Sequence, residues 1–316
     1  MNLRIFPFAL FLILLIQTGI YAKTEKIKLA IGYIPHIQFA PLYAGIEKGF
    51  YSRNNIELSI EYGFGIDIFS LLENEKIDIG LSDSDQLIIA GSKKIKIGAI
   101  YQYYQKYPVS IISLNDGRIK SPSDLKSKTI GTPEIHGTSY IGLKEFLGKF
   151  NLGNKVRIEK IGYTQIQSLI SGKVDAVVCF SNNEPVQLKI AGKDIIQWNV
   201  SGFSELPGAS FITGYKIVKS KSESLKKFIK ATGEAMDWVV NNQEEAFEVS
   251  KKYLQGYNES QYKFDIECLK ETSKLFINKK GYGYIDPEKY KKSLDTLYDL
   301  KLIDKKFDVN EIIYAM

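Results

Sequence analysis

The sequence predicts an α/β protein of two lobes, each a parallel or mixed sheet flanked by helices, with a helical tail closing over the first lobe. Three observations carry this expectation. From Lys28 to Trp198 short apolar or alternating runs are followed by helical patterns through short connections, the arrangement that covers a mostly parallel sheet with helices. The alternation starts afresh at Thr129-Ile130-Gly131-Thr132, beyond the turn Asn115-Asp116-Gly117-Arg118. From Ser222 onward the pattern is helical. The 316 residues suffice for two domains. The predicted division is 23–114 plus 212–316 for the first lobe and 115–211 for the second.

The first element, Lys28 to Ile31, is an apolar β-type run that breaks at Gly32 and Pro35. The chain restarts as a helix over Pro41 to Gly49, ending on a glycine suited to the left-handed helix stop. Ile56 to Tyr62 alternates as a strand, Asp67 to Asn74 sets Ile68, Leu71 and Leu72 on one helix face, and Ile77 to Leu81 is a short buried-type strand. Ser82-Asp83-Ser84-Asp85 is rich in N-cap residues and precedes the helix Gln86 to Gly91. Strands at Ile95 to Tyr101 and Val109 to Leu114 follow.

In the second lobe, Thr129 to Thr132, Lys155 to Ile161, Val174 to Phe180 and Ile195 to Trp198 read as strands. Tyr140 to Phe150, Gln165 to Ser171 and Val186 to Ala191 read as the helices between them. Helices over Ser222 to Asn242, Gln243 to Tyr253, Glu259 to Ile277 and Pro287 to Leu300 form the tail; the first spaces Leu225, Phe228, Ile229, Met236 and Val239 on one face, which must pack on something else. Two such lobes joined by two crossings make a cleft that closes around a ligand.

Met1-Asn2-Leu3-Arg4, the apolar run Ile5 to Ile16 and the segment ending Ile20-Tyr21-Ala22 read as a secretion signal, residues 1–22, cut after Ala22. An uncleaved anchor is the alternative, although the run is short for a bilayer span. The mature chain is then expected outside the inner membrane. The net charge of +6 is spread over lysine clusters among acidic residues, so it argues against a nucleic-acid footprint. Cys179 and Cys268 lie far apart; one bridge could form in an oxidising compartment, but Cys179 sits in an apolar run that suits a small buried residue. With only His36 and His136 and no Cys/His cluster, no metal site or cofactor is expected.

Candidate binding residues come from loops that follow a strand and precede a helix, the place where open α/β folds take ligands. The first carries Tyr33, His36, Gln38 and Phe39, flat rings with hydrogen-bonding groups between them. Asp83 could bond ligand hydroxyls or simply cap a helix. Tyr101 and Tyr104 would give stacking surfaces with polar ends. His136 and Thr138 stand at a helix start, where free N–H groups and hydroxyls suit a polar or anionic ligand group and equally a plain N-cap. Asn183 and Glu184 could bond the N–H groups of a heterocycle while also starting a helix. There is no Gly-x-Ser-x-Gly elbow, phosphate loop or dinucleotide fingerprint, so binding without catalysis explains more of the chain.

Several spaced motifs carry a family resemblance: Gly32-Tyr33-Ile34-Pro35 with Gln38-Phe39-Ala40-Pro41-Leu42-Tyr43-Ala44, then Glu47-Lys48-Gly49-Phe50-Tyr51, Ile77-Asp78-Ile79-Gly80, Gly137-Thr138-Ser139 and Asn183-Glu184-Pro185-Val186-Gln187-Leu188. With them the mature chain resembles the solute-binding proteins of ABC importers in the sulfonate/nitrate and thiamine-pyrimidine family. The resemblance implies a monomeric periplasmic binding protein of the type II fold. Its ligand would lie between the lobes and pass to a membrane permease driven by a cytoplasmic ATPase. Gln38-Phe39-Ala40-Pro41 and Tyr107-Pro108-Val109 look most like the riboflavin-binding branch. A thiamine pyrimidine precursor and a small sulfonate are the alternatives. The fold is also that of the pyrimidine synthase of thiamine biosynthesis, an enzyme whose cysteine-rich iron motif has no counterpart here.

Overall fold

The computed structural model describes residues 23–314 and 316; the predicted signal at 1–22 lies outside the described residues. The chain begins with β1 (Glu25–Ile31), followed by α1 (Ala40–Glu47), α2 (Phe50–Arg53), β2 (Ile56–Tyr62), α3 (Ile68–Glu73), β3 (Ile79–Asp83), α4 (Ser84–Ser92) and β4 (Ile97–Gln102). Gly49 lies between α1 and α2 at φ 72°, the left-handed stop that its position after the apolar helix predicts. A second group comprises β5 (Val109–Leu114), β6 (Thr129–Thr132), α5 (Gly137–Lys149), β7 (Arg157–Lys160), α6 (Gln165–Ile170), β8 (Ala176–Phe180), α7 (Glu184–Ile190) and β9 (Ile195–Asn199). The chain then continues as β10 (Ala209–Gly214), α8 (Tyr215–Asn241), α9 (Gln243–Ser250), α10 (Tyr262–Phe276) and α11 (Pro287–Asp299).

The strands form two five-stranded sheets, ordered β2-β1-β3-β10-β4 and β7-β6-β8-β5-β9. β1 pairs in parallel with β2 and β3, and β6 with β7 and β8. β10 and β5 run antiparallel to both of their neighbours. These are the first strands the chain makes on entering each sheet from the other. Val109–Leu114 was expected in the first lobe, but it pairs with β8 and β9 of the second sheet. An apolar six-residue strand looks the same in either sheet, and only its partners decide. The crossings are therefore 103–108 and 200–208. Helix α8 begins seven residues earlier than the apolar spacing predicts and carries one non-helical residue, Lys221 (φ −128°), immediately before the predicted start at Ser222.

The two crossings lie against each other. Gly208 N–H donates to the Tyr104 carbonyl (3.2 Å), Tyr104 N–H to the Ala209 carbonyl (2.9 Å), and Gln102 Nε2 to the carbonyls of Tyr104, Gly208 and Ala209. A Cβ at Gly208 would stand 2.6 Å from Tyr104 Cβ and 2.7 Å from the Lys106 carbonyl oxygen, so no larger residue fits while the strands of the hinge touch. The core is continuous from Ile27 and Leu29 of the first sheet to Ile111, Ile130 and Phe146 of the second, and α8, as its apolar face requires, buries Leu225, Phe228, Met236 and Val239. Among the described residues no helix is long and apolar enough to cross a membrane.

Candidate functional site

β1, β6 and β8 each run into a loop before the next helix, whereas β3 runs directly into α4, and Asp83 and Asp85 at that junction meet the first turn of α5 from the other sheet. After β1, His36 caps a short 3-10 turn at Ile37–Phe39: its Nδ1 accepts from Gln38 N–H at 3.3 Å, and its own N–H donates to the Tyr43 hydroxyl at 3.2 Å. The His36 ring meets Tyr33 and Phe264 edge-on. Burial pushes its pKa down to about 4, so at neutral pH it is an uncharged spacer. Tyr33 remains part-exposed and packs edge-on against Phe64, itself 67% exposed. Burial first, then Glu184, Cys268 and Tyr163, raise the Tyr33 pKa.

After β3, Asp83 and Asp85 face the second lobe. Thr138, in the first turn of α5, donates through Oγ1 to Asp83 Oδ2 at 2.6 Å and lies 3.3 Å from Asp85 Oδ1. The Tyr107 hydroxyl is 2.9 Å from both Asp85 Oδ2 and the Thr138 carbonyl. Burial raises the pKa of both carboxyls, with mutual repulsion adding to the rise at Asp85. The two lobes are thus joined by an acid pair on one side and a hydroxyl at a helix start on the other.

After β8, Glu184 Oε2 accepts the Phe180 N–H at 3.2 Å, and burial lifts its pKa to about 6. Asn182 Nδ2 donates to Thr272 Oγ1 of α10 at 2.9 Å, and the Cys268 thiol donates to the Asn182 carbonyl at 2.9 Å. Tyr104 completes the seam: its hydroxyl donates to Gln38 Oε1 at 2.8 Å and its ring stacks 5.8 Å from Phe276. Cys268, Asp83, Asn182 and Tyr33 all act on that hydroxyl, whose pKa burial raises far above its ordinary value.

The structure therefore brings together Tyr33, Gln38, Asp83, Tyr104, Thr138 and Glu184 of the predicted set. Others lie elsewhere. Phe39 is buried in the first core beside Tyr62, and Tyr101 points the other way from the seam, its hydroxyl on Met236 Sδ at 3.2 Å and its ring against Gly283. His136 is a solvent-facing side chain, 76% exposed, 3.8 Å from Glu134. Asn183 is the N-cap residue of α7, and its Oδ1 is taken by Gln187 Nε2 at 2.8 Å. Asn182, Cys268 and Tyr163 were missed: Asn182 adjoins the chosen Asn183 and Glu184, Tyr163 lies in the β7–α6 loop from which no candidate was taken, and Cys268 lies on a helix of the tail. Both cysteines are free and buried. Among the described residues no group of three or more His, Cys, Asp or Glu side chains is placed to hold a metal ion.

A family model described as NMT1/THI5 like matches residues 36–246, a span that runs from the β1 loop through both crossings. The chain belongs to the NMT1/THI5-like family. It is 23% identical over 295 residues to riboflavin-binding protein RibY of Chloroflexus aurantiacus, covering 91% of this chain and 84% of that one. It is 25% identical over 263 residues to the formylaminopyrimidine-binding protein of Halalkalibacterium halodurans, covering 81% and 78%. Among solved structures, the periplasmic aliphatic sulphonate binding protein SsuA of Escherichia coli superposes with a TM-score of 0.73 at 12% identity, over 92% of each chain. The architecture is accordingly the two-lobed periplasmic-binding-protein fold of type II, with two mixed sheets and a cleft between them.

Proposed function

We propose that this NMT1/THI5-like protein is the extracytoplasmic substrate-binding component of an ABC importer. In this reading it captures a flat aromatic heterocyclic vitamin, riboflavin in the first place, as a monomer and without chemistry. It then passes the ligand to a membrane permease coupled to an ATPase. Residues 23–102 with 209–316 form one lobe and 109–199 the other, with the crossings as hinge. The observation that carries the reading is the make-up of the seam. Tyr33 supplies a part-exposed ring with Phe64 (67% exposed) edge-on against it, and Gln38, Asp83, Thr138 and Glu184 supply polar edges from both lobes. Flat rings with few fixed hydrogen-bonding groups suit a heterocycle better than a compact anion, for which no Lys or Arg is present among the residues placed at the seam.

A thiamine pyrimidine precursor is the second reading, favoured by the similarity to the formylaminopyrimidine-binding protein. A one-ring ligand stacked on Tyr33 would leave the exposed Phe64 ring unused. The synthase alternative has neither its cysteine motif nor a reactive thiol, since burial raises both cysteine pKa values. Titration of riboflavin with the protein, followed by quenching of flavin fluorescence, tests the proposal. Saturation at one equivalent supports it, and an unquenched signal displaced in favour of formylaminopyrimidine binding by calorimetry replaces it with the second reading.

A further inference from the structure

The cluster of Asp83, Asp85, Thr138 and Tyr107 ties three parts of the fold: the β3–α4 junction of one lobe, the first turn of α5 in the other, and the crossing between them. It contains four close oxygen pairs. Thr138 Oγ1 meets Asp83 Oδ2 at 2.6 Å and Asp85 Oδ1 at 3.3 Å, and the Tyr107 hydroxyl meets Asp85 Oδ2 and the Thr138 carbonyl, both at 2.9 Å. Each pair needs a hydrogen between its oxygens. The two hydroxyls bring one hydrogen apiece, whereas ionised carboxylates and a carbonyl bring none. With both acids ionised, two of the four pairs therefore face each other as lone pairs. A hydroxyl accepts as well as donates, so a proton on Asp85 Oδ2 can be given to the Tyr107 oxygen, which releases the Tyr107 hydrogen to the Thr138 carbonyl. A proton on Asp83 Oδ2 acts likewise through Thr138, whose hydrogen then goes to Asp85 Oδ1. One added proton fills a third pair by either route.

No opposite charge does the work of that proton. Asp85 is 1% exposed, and among the described residues no cation acts on either carboxyl. Gln86 Nε2, 3.2 Å from Asp85 Oδ1, is a neutral donor. The other titratable groups around the cluster are Tyr104 and Tyr107 of the first crossing, Glu145 of α5, and Tyr290 of α11, whose hydroxyl ends on Ser84. Lys289 and Lys292 of α11 are engaged elsewhere, on the Gln105 carbonyl and on Glu205. β10 brings only Ala209 and Ser210 alongside this end of β3. The surroundings are thus uncharged or acidic, and burial with like-charge repulsion favours a neutral acid.

We propose that the lobes in contact hold one proton on the Asp83–Asp85 pair and that parting them releases it, so that the hinge opens as pH rises. Opening gives both carboxyls to water, where each ionises in the ordinary carboxylate range. The closed arrangement binds the proton more tightly than the open one. Its advantage is present at low pH and is lost as pH rises through the titration of the closed pair. A single proton changes the closed-to-open ratio by at most about ten-fold per pH unit. The inference rests on the reading of the two crossings as a hinge, and on no particular ligand.

Small-angle X-ray scattering of the ligand-free protein from about pH 5 to about pH 9, for wild type, Asp85→Asn, Asp83→Asn and Thr138→Val, tests this. An asparagine amide carries N–H donors and no charge at every pH. Wild type is expected to expand as pH rises, and both asparagine variants to keep the compact radius throughout. Circular dichroism at each pH separates opening from unfolding, and either asparagine variant suffices if the other does not fold. Wild type alone gives a second readout: the infrared band of a protonated carboxylic acid should fade over the same pH interval as the expansion. Expansion without that fading overturns the inference. So does a folded asparagine variant that expands as wild type does or is already expanded at acidic pH. A wild-type radius constant with pH, beside an enlarged Thr138→Val, overturns the proton latch and keeps the hinge; a radius that neither pH nor Thr138→Val changes overturns both.

Discussion

Glu184→Gln isolates one electrostatic cost of building the cleft. In the folded protein burial lifts this carboxyl from its ordinary 4.5 to about 6, and the Phe180 N–H donates to its Oε2. The native state therefore holds the proton more tightly than the unfolded chain. The resulting stabilisation is fully present below pH 4.5 and is lost as pH rises through about 6. A rise of that size corresponds to about 2 kcal/mol between the two limits. Glutamine keeps an oxygen for the Phe180 N–H and does not titrate. The stability of Glu184→Gln relative to wild type should thus climb by about 2 kcal/mol between pH 4 and pH 7, most of it between 4.5 and 6.5. Urea unfolding of the two proteins at matched pH values, with the ligand dialysed away, measures the difference directly, and contributions of every other carboxyl cancel. A difference that stays flat across that range, or falls, would refute the placement of Glu184 in a desolvated seam.

Three further predictions concern the hinge, the latch and the residues set aside. Gly208→Ala should cost about 1–3 kcal/mol by urea unfolding, because its Cβ would stand 2.6 Å from Tyr104 Cβ and 2.7 Å from a main-chain oxygen of the opposing crossing. Thr138→Val removes the donor shared by Asp83 and Asp85. It should lower stability by about 1–3 kcal/mol and raise the radius of gyration in small-angle scattering as the lobes part. Tyr101→Phe and His136→Ala should leave ligand affinity within about two-fold of wild type by the same titration, since one hydroxyl meets Met236 in the core and the other ring faces solvent.

Much of the architecture was legible in the periodicities. The restart at Thr129, the glycine stop at Gly49 and the apolar stripe of α8 each follow from local rules and each is found where those rules place it. Long-range choices were not legible. Nothing in Val109–Leu114 says which sheet it joins, because its pairing energy comes from β8 and β9, distant in sequence. At the site, loop membership was readable but side-chain direction was not. Tyr101 and Tyr104 are equally aromatic and three residues apart, yet one ends on Met236 and the other on Gln38, because Tyr101 lies in β4, every residue of which is buried, and Tyr104 in the crossing that follows. Asn182 and Asn183 differ in the same way. The helix cap at Asn183 engages Gln187, while Asn182 turns into the seam toward a helix that lies 86 to 90 residues further along the chain. Phe39 follows from the 3-10 turn at His36, which no hydrophobic pattern announces, and which rotates its ring inward.

The central claim is that the seam between the lobes holds a flavin. The most direct test is the visible absorption spectrum of the purified protein, recorded as isolated and again after incubation with excess riboflavin and exhaustive desalting. The account predicts a retained flavin band at close to one equivalent per chain. A colourless protein after loading, with calorimetry showing no heat on riboflavin addition, would contradict it.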